Sequence, residues 1–377
     1  MHVLITMTYG NSFVTWEDAG ILDRELALYM RHVESGVEIS FLSYGGSLDQ
    51  TLMARFPTIK VLTNRWRLPM SIYAVLVPIL FRSTLKRVDI IKSNQMYGSH
   101  VANWCNWIYK KKFVLRQGHD FVEHFKKEKH RHVFYRWLSH LYERFQFRQA
   151  DAAVFTSDKM LEDAKIRYAK PPETSLIIPN YIDSGAWDPG YDCATTRDRL
   201  RVAYFGRFTA QKNLEALIEA ISQLPVDLVL IGEGDTREKL EKLTKSIHAS
   251  CEFVERVPQK RLVAILNRCN LFALPSHYEG NPKSLIEAMA FGIPVLVADS
   301  PGIRELVIPG VDAIVVEPTV TGIRDGLRIF INMSAAERRQ LGRYSRESVL
   351  REYSVDRIAC LERDLFRRLL ENPNEFH

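Results

Sequence analysis

The chain has 377 residues, 46% of them apolar and 25% charged, with 51 Lys and Arg against 45 Asp and Glu. That balance is globular and large enough for two cores, and it excludes a disordered, collagenous or disulfide-framed chain. No apolar run approaches the ~20 residues of a membrane-spanning helix, and Cys105, Cys193, Cys251, Cys269 and Cys360 form no Cys-x-x-Cys pair. Nothing like a secretory signal precedes the first strand, so a reducing, cytoplasmic setting is expected.

In chain order, Val3 to Thr6, Val37 to Leu42, Ile59 to Leu62, Asp89 to Ile91, Phe113 to Leu115 and Ala153 to Phe155 read as short apolar strands. Helical stretches separate them, which is the pattern of a parallel α/β sheet. Tyr9-Gly10-Asn11-Ser12 follows the first strand. Leu68 to Phe81 holds two prolines between Arg67 and Arg82 and reads as a buried helix, too short to span a bilayer. Gln117-Gly118-His119-Asp120 closes the fifth strand, so His119 stands at a strand's carboxyl end, where a ligand can be reached.

All of the excess positive charge lies in residues 1–190, with 25 Lys and Arg against 19 Asp and Glu, whereas residues 191–377 carry 26 of each. Its densest part is 126–148, where Lys126, Lys127, Lys129, Arg131, Arg136, Arg144 and Arg148 face only Glu128 and Glu143. Phe134, Tyr135, Trp137, Leu138, Leu141, Tyr142 and Phe145 recur there at helical spacing. The plainer reading is a core-packed helix with a solvated basic face; the sharper one is contact with an anionic membrane. No nucleic-acid motif accompanies the charge, so a nucleic-acid partner is not expected. His130 and His132 read as surface residues outside any metal-ligand set.

Asn180 to Asp198, rich in Asp, Gly, Pro and Thr, reads as a linker. A second strand series follows: Arg201 to Phe205, Asp227 to Ile231, Cys251 to Val254, Leu271 to Leu274, Pro294 to Ala298 and Ala313 to Val316. After the fourth of these comes Tyr278-Glu279-Gly280-Asn281-Pro282-Lys283-Ser284-Leu285-Ile286-Glu287. Asn281 reads as an N-cap with Pro282 at the first helical position, which presents backbone amides beside Gly280 and Lys283. Such a terminus suits an anion, and glycine lets a bulky group approach the backbone. Glu279 before the helix and Glu287 inside it suit a ligand with a charged middle and hydroxylated ends, such as a nucleotide sugar.

The segment resembles the E-x7-E signature of family 4 retaining glycosyltransferases. Gly206-Arg207-Phe208-Thr209-Ala210-Gln211-Lys212 resembles that family's Gly-Arg loop with a lysine five residues on. Ile231-Gly232-Glu233-Gly234 and Pro275-Ser276 are similar to its next glycine turn and its Pro-Ser pair, so the matches span residues 201–305. The resemblance implies the α/β GT-B fold: two Rossmann-like domains with parallel sheets facing a central cleft, and a C-terminal helix crossing back to the first domain. The expected bounds are 1–185 plus 355–377 for the acceptor domain and 195–354 for the donor domain, with a frayed end beyond Pro373.

By the same resemblance, Arg207 and Lys212 hold the donor diphosphate, and Gly206, Gly280, Asn281 and the amides around Pro282 to Ser284, including that of Lys283, line it. Glu287 takes the ribose, Glu279 the sugar, and backbone at Arg256 and Val257 the base; UDP, GDP and ADP sugars all fit these elements, with a UDP or GDP sugar expected first. His119 contacts the sugar or its phosphate, giving a catalytic set of His119, Arg207, Lys212 and Glu279. Gly10 is carried over from the family's first glycine loop, where one glycine replaces a pair, and Asp18 is carried over beside it. The implied reaction is metal-independent sugar transfer with retention, no cofactor beyond the nucleotide sugar, and a glycan or lipid-linked acceptor in bacterial surface polysaccharide assembly. Alternatives are an inactive nucleotide-sugar-binding accessory protein and other GT-B enzymes such as an epimerase or phosphorylase. A dinucleotide oxidoreductase is disfavoured because no Gly-x-Gly-x-x-Gly follows Val3 to Thr6.

Overall fold

A computed structural model describes residues 1–118, 132–168, 174–183, 185, 187 and 199–371. The chain divides into two compact units, Met1–Pro179 with Val355–His377, and Asn180–Ser354.

The first unit is a seven-stranded sheet: β1 (His2–Thr6), β2 (Glu38–Leu42), β3 (Ile59–Leu62), β4 (Ile90–Ser93), β5 (Lys112–Gln117), β6 (Ala152–Phe155) and β7 (Ser175–Ile177). Its order is β3-β2-β1-β4-β5-β6-β7, with every pair parallel. Strands covered on both faces read as continuous apolar runs, and β1 and β4 are buried throughout. The edge strand β7 was missed because its three residues are only half-buried and carry no apolar run of their own length.

The second unit repeats the plan with six strands: β8 (Leu200–Phe205), β9 (Val226–Ile231), β10 (Cys251–Val254), β11 (Leu271–Leu274), β12 (Val295–Ala298) and β13 (Ile314–Val316). Their order, β10-β9-β8-β11-β12-β13, reverses at β8 as that of the first sheet reverses at β1. Both sheets thus have the doubly wound Rossmann topology, whose ligand crevice lies beyond the carboxyl ends of the strands at the reversal.

Helices used below are α1 (Leu22–Glu34), α2 (Met70–Leu80), α3 (Arg82–Arg87), α4 (Ser99–Tyr109), α5 (His132–Gln149), α6 (Lys283–Phe291), α7 (Ala335–Tyr353) and α8 (Val355–Glu371). The last of them belongs to the first unit, where Ile358, Leu365, Phe366 and Leu369 are buried and His32 of α1 lies against Phe366. Its buried face also carries a charge. Glu362 is paired with Lys92 of β4 and lies 3.1 Å from the His32 imidazole, all three being buried.

Three expectations need correction. The boundary falls at Pro179 and Asn180, because Asn180, Ile182 and Trp187 of the supposed linker are tied to the second unit. The Ile182 amide donates to the Tyr353 carbonyl at 2.8 Å, and Trp187 packs edge-on to Phe291. The helix within Leu68 to Phe81 buries only one side, Tyr73, Ala74, Val77 and Pro78, and turns Ile72, Val75 and Ile79 outward. Within 126–148, α5 inverts the expected core-packed face: Ser139, Glu143, Gln146 and Phe147 are buried, while Leu138, Leu141 and Phe145 are exposed. The buried Glu143 accepts from the Tyr168 hydroxyl and the Gln117 amide, which accounts for a carboxylate on the inner face. Lys126 to Arg131, and the side chains of Phe134, Tyr135 and Arg136, fall outside the described residues, as do His130, the His132 side chain and Pro373.

Candidate active site

The reversal point of the second sheet is flanked by the loops after β8 and β11, and these loops hold the motif residues. After β8 the chain turns through Gly206, whose φ of +150° lies in the range that favours glycine. A Cβ there would stand 2.9 Å from the Tyr204 hydroxyl, which donates to the Arg207 carbonyl at 2.9 Å. The loop is held from its other side by the turn after β9. The Phe208 amide donates to the Glu233 carbonyl at 2.8 Å, and a Cβ on Gly232 or Gly234 would approach the Gly206 or Phe208 carbonyl oxygen to 2.0 or 2.1 Å. The two glycines of Gly232-Glu233-Gly234 therefore shape the Gly206-Arg207 loop.

The same loop is laced to the segment after β11. The His277 amide donates to the Gln211 carbonyl at 3.0 Å, and the Gln211 side-chain amide donates to the Tyr278 carbonyl at 2.7 Å. Asn213, left-handed at φ +53°, donates its side-chain amide to the Pro275 and Pro318 carbonyls. Between these anchors the Lys212 Nζ lies 2.5 Å from Glu279 Oε1, with side-chain exposures of 12% and 6%. Arg207, on the same loop as Lys212, is exposed. Burial first, and then the Glu279 carboxylate, push the Tyr204 phenol above its ordinary range, while Arg207 opposes the rise.

Helix α6 begins one residue later than expected. Pro282, at φ −72° and ψ 104°, is the cap, Lys283 and Ser284 open the first turn, and no side chain caps it. Asn281 is engaged elsewhere: its side-chain oxygen accepts from the Asn180 amide at 3.1 Å, and its carbonyl accepts from the Asn180 side chain at 3.0 Å. Glu287 is half-buried in the second turn, between buried Ile286 and Ala288. Arg256 and Val257 follow β10, the edge strand on the far side of β9.

Residues 206–213 and 275–287 are therefore assembled at the reversal point of the second sheet. In the first unit, Gly10 follows β1 at φ +85° and approaches Met70, and Asp18 is exposed at the end of the short helix Phe13–Asp18. His119 lies outside the described residues. Among the described residues no group of three or more His, Cys, Asp or Glu is placed to hold a metal ion.

Two positioning residues were not singled out in the sequence. The Glu279 amide donates to the Pro301 carbonyl at 2.9 Å, and at Gly302, φ +78°, a Cβ would stand 1.9 Å from the Glu279 carbonyl oxygen. In the first unit, Gly98, φ +102°, lies against the Tyr9 amide, where a Cβ would approach to 2.6 Å. A Pro-Gly pair after a strand was the available signal at 301–302. Gly302→Ala is expected to displace Glu279 and lower kcat/KM for sugar transfer by about 10²-fold, as an ångström-scale misplacement does. Steady-state kinetics on a variant with native circular dichroism checks this, and full activity would show that the Glu279 position is not critical.

Residues 194–348 match the family model described as Glycosyl transferases group 1. Over that segment the chain is similar to the family. Arg207, Lys212, Glu279 and Glu287 lie inside the group 1 segment, whereas Gly10 and His119 lie outside it. Alpha-maltose-1-phosphate synthase of Mycolicibacterium smegmatis is 26% identical over an alignment of 253 positions, which covers 60% of this chain and 65% of that one. The chain thus spans just under two thirds of that relative's length. Sucrose-phosphate synthase from Thermosynechococcus elongatus has the same fold at a TM-score of 0.76 and 20% identity, over 98% of this chain and 100% of that one. HepE of Anabaena in complex with UDP-glucose follows at a TM-score of 0.71 and 19% identity, with the same coverage. With a doubly wound parallel sheet in each unit, the chain has the GT-B fold.

Proposed function

We propose that the protein is a retaining glycosyltransferase that moves a sugar from a UDP or GDP sugar to a glycan or lipid-linked glycan, in the assembly of bacterial surface polysaccharide. The observation that carries this reading is the joining of the loops 206–213 and 275–282 at the reversal point of the second sheet, with the Lys212–Glu279 pair between them and Arg207 exposed on the first loop. A nucleoside diphosphate sugar offers such a site both anionic and hydroxyl groups.

Arg207 and Lys212 stabilise the negative charge that grows on the diphosphate as the sugar–oxygen bond breaks, and the first-turn amides of α6 add hydrogen bonds. Fixed cations then serve where a metal ion otherwise would. Glu279 accepts from sugar hydroxyls and Glu287 from the ribose, while Arg256 and Val257 meet the base. Retention follows if the acceptor hydroxyl attacks the face that the phosphate leaves and passes its proton to the departing phosphate oxygen. His119 is assigned to the sugar or its phosphate. A cytoplasmic setting accords with the free thiols of Cys105, Cys251, Cys269 and Cys360. An acceptor borne on a membrane accords with the exposed Leu138, Leu141 and Phe145 beside Arg144 and Arg148 on α5.

The test is a proton NMR time course with UDP and GDP sugars and candidate acceptors in the presence of EDTA. Turnover of one donor with retained anomeric configuration is expected. Inversion, or turnover only after a divalent metal is restored, would refute the corresponding part of the reading.

A further inference from the structure

We propose that the outer face formed by α2, α3 and α4 of the first unit docks onto an anionic lipid bilayer. This deepens the membrane-borne acceptor reading, and vesicle binding measured without donor or acceptor keeps the two separable. Between Asp49 and Asp120 the chain carries twelve Lys and Arg, of which Lys92 is buried against Glu362, and a single carboxylate, Asp89, a bias well beyond the +6 of the whole molecule. That carboxylate accepts from the His2 amide at 2.8 Å, at the start of β4. In this positive segment several large apolar side chains turn to solvent.

On α2 the residues Ile72, Val75 and Ile79 recur along one outward face, with Val75 62% and Ile79 72% exposed. The helix contains no charged residue and is apolar all round, which a surface helix facing water is not. On α4 the outward residues are Trp104, Trp107 and Ile108, with Trp107 61% exposed. The two stripes adjoin. The Trp104 indole donates to the Val75 carbonyl at 3.2 Å, and the Tyr109 hydroxyl donates to the Pro78 carbonyl at 2.6 Å. Trp104 and Trp107 stack with centroids 5.6 Å apart.

Cations border the stripes. Lys110 Nζ lies 5.8 Å from the Trp107 ring centroid, Lys111 donates to the Lys86 carbonyl at 3.0 Å, and Arg82 and Lys86 of α3 are exposed. A contiguous exposed apolar patch with a basic rim is an interaction surface. A nucleic acid would engage the rim and the indoles but would leave Ile72, Val75 and Ile79 in water. A bilayer surface satisfies all three: lipid phosphates meet the cations, indoles sit at headgroup depth, and the aliphatic side chains reach the acyl boundary. No helix among the described residues is long and apolar enough to cross the membrane, so the contact lies in the interface plane.

The test is co-sedimentation of the full chain with vesicles of phosphatidylcholine alone or of phosphatidylcholine and phosphatidylglycerol in equal parts. Partitioning at least about tenfold stronger onto the anionic vesicles is expected, with a blue shift of tryptophan emission, since each basic residue near such a surface adds appreciably. Val75→Ser with Ile79→Ser, and separately Arg82→Glu with Lys86→Glu, should each reduce that partitioning about tenfold. These side chains are exposed, so native circular dichroism and unchanged turnover of a soluble acceptor should accompany the loss. Equal binding to both vesicle types, unchanged binding by either variant, or a dimer in sedimentation velocity that Ile79→Ser dissolves would overturn the proposal.

Discussion

Lys212→Ala is expected to lower kcat/KM for sugar transfer by about 10²- to 10³-fold, the cost of removing one preorganised group from developing charge. Two losses combine in this variant. The cation assigned to the diphosphate disappears, and Glu279, 7% exposed, loses the ammonium that lies 2.5 Å from it. Lys212→Arg keeps the charge on a broader, planar group and should recover part of the rate, whereas Lys212→Met should behave like Lys212→Ala. The surrounding turn is held by Gln211 and Asn213 through backbone carbonyls, so the fold should survive. Thermal unfolding of the same samples separates the contributions: a large rate loss with a small shift in Tm places the lysine in catalysis. Unchanged kinetics would remove it from the site.

The second large effect concerns stability. Glu362→Leu should destabilise the first unit by about 3–5 kcal/mol, because breaking a buried pair leaves an uncompensated charge. The Glu362 carboxylate holds Lys92 and His32, and Lys92 also lies 5.3 Å from the Tyr29 ring centroid. Burial pulls the Lys92 ammonium below its ordinary value even with Glu362 beside it, so loss of that partner is costly. Adding Lys92→Met to the same chain should restore much of the loss, since a well-packed apolar pair replaces a buried ionic one at little cost.

The pH dependence has a definite sign. Burial alone would raise the Glu362 carboxyl, but Lys92 and then His32 outweigh it and hold the value down to about 2 from the ordinary 4.5. A carboxyl lowered in the folded state contributes stability that is fully present above about 4.5 and is lost as pH falls towards about 2. Urea unfolding across that window should show a steeper decline for the wild type than for the double variant that combines Glu362→Leu with Lys92→Met. Parallel slopes would indicate that Glu362 titrates normally.

The sheets were legible because strands covered on both faces must be apolar throughout, as Val3 to Ile5 and Leu271 to Leu274 are. The loops that meet at the reversal point of the second sheet were legible because Gly206-Arg207, Lys212, Glu279 and Glu287 keep a spacing set by local turns. Features that depend on distant partners were not. The start of α6 moved by one residue because Asn281 bonds to Asn180, 101 positions away. Gly302 and Gly98 matter through backbone atoms of Glu279 and Tyr9. Lys92 and Glu362 are 270 positions apart, and each reads locally as an ordinary surface charge. The outward Ile72, Val75 and Ile79 were misplaced for a related reason: an apolar run specifies burial from water, and a second surface can supply it as well as the core.

The most direct measurement is calorimetric titration of the wild type and of Lys212→Ala with UDP and GDP sugars in EDTA. Metal-free binding of one of these donors to the wild type, weakened at least about tenfold in the variant, is the predicted result. Binding of neither donor, or equal binding to both proteins, would contradict a diphosphate-sugar site at Lys212 and Glu279.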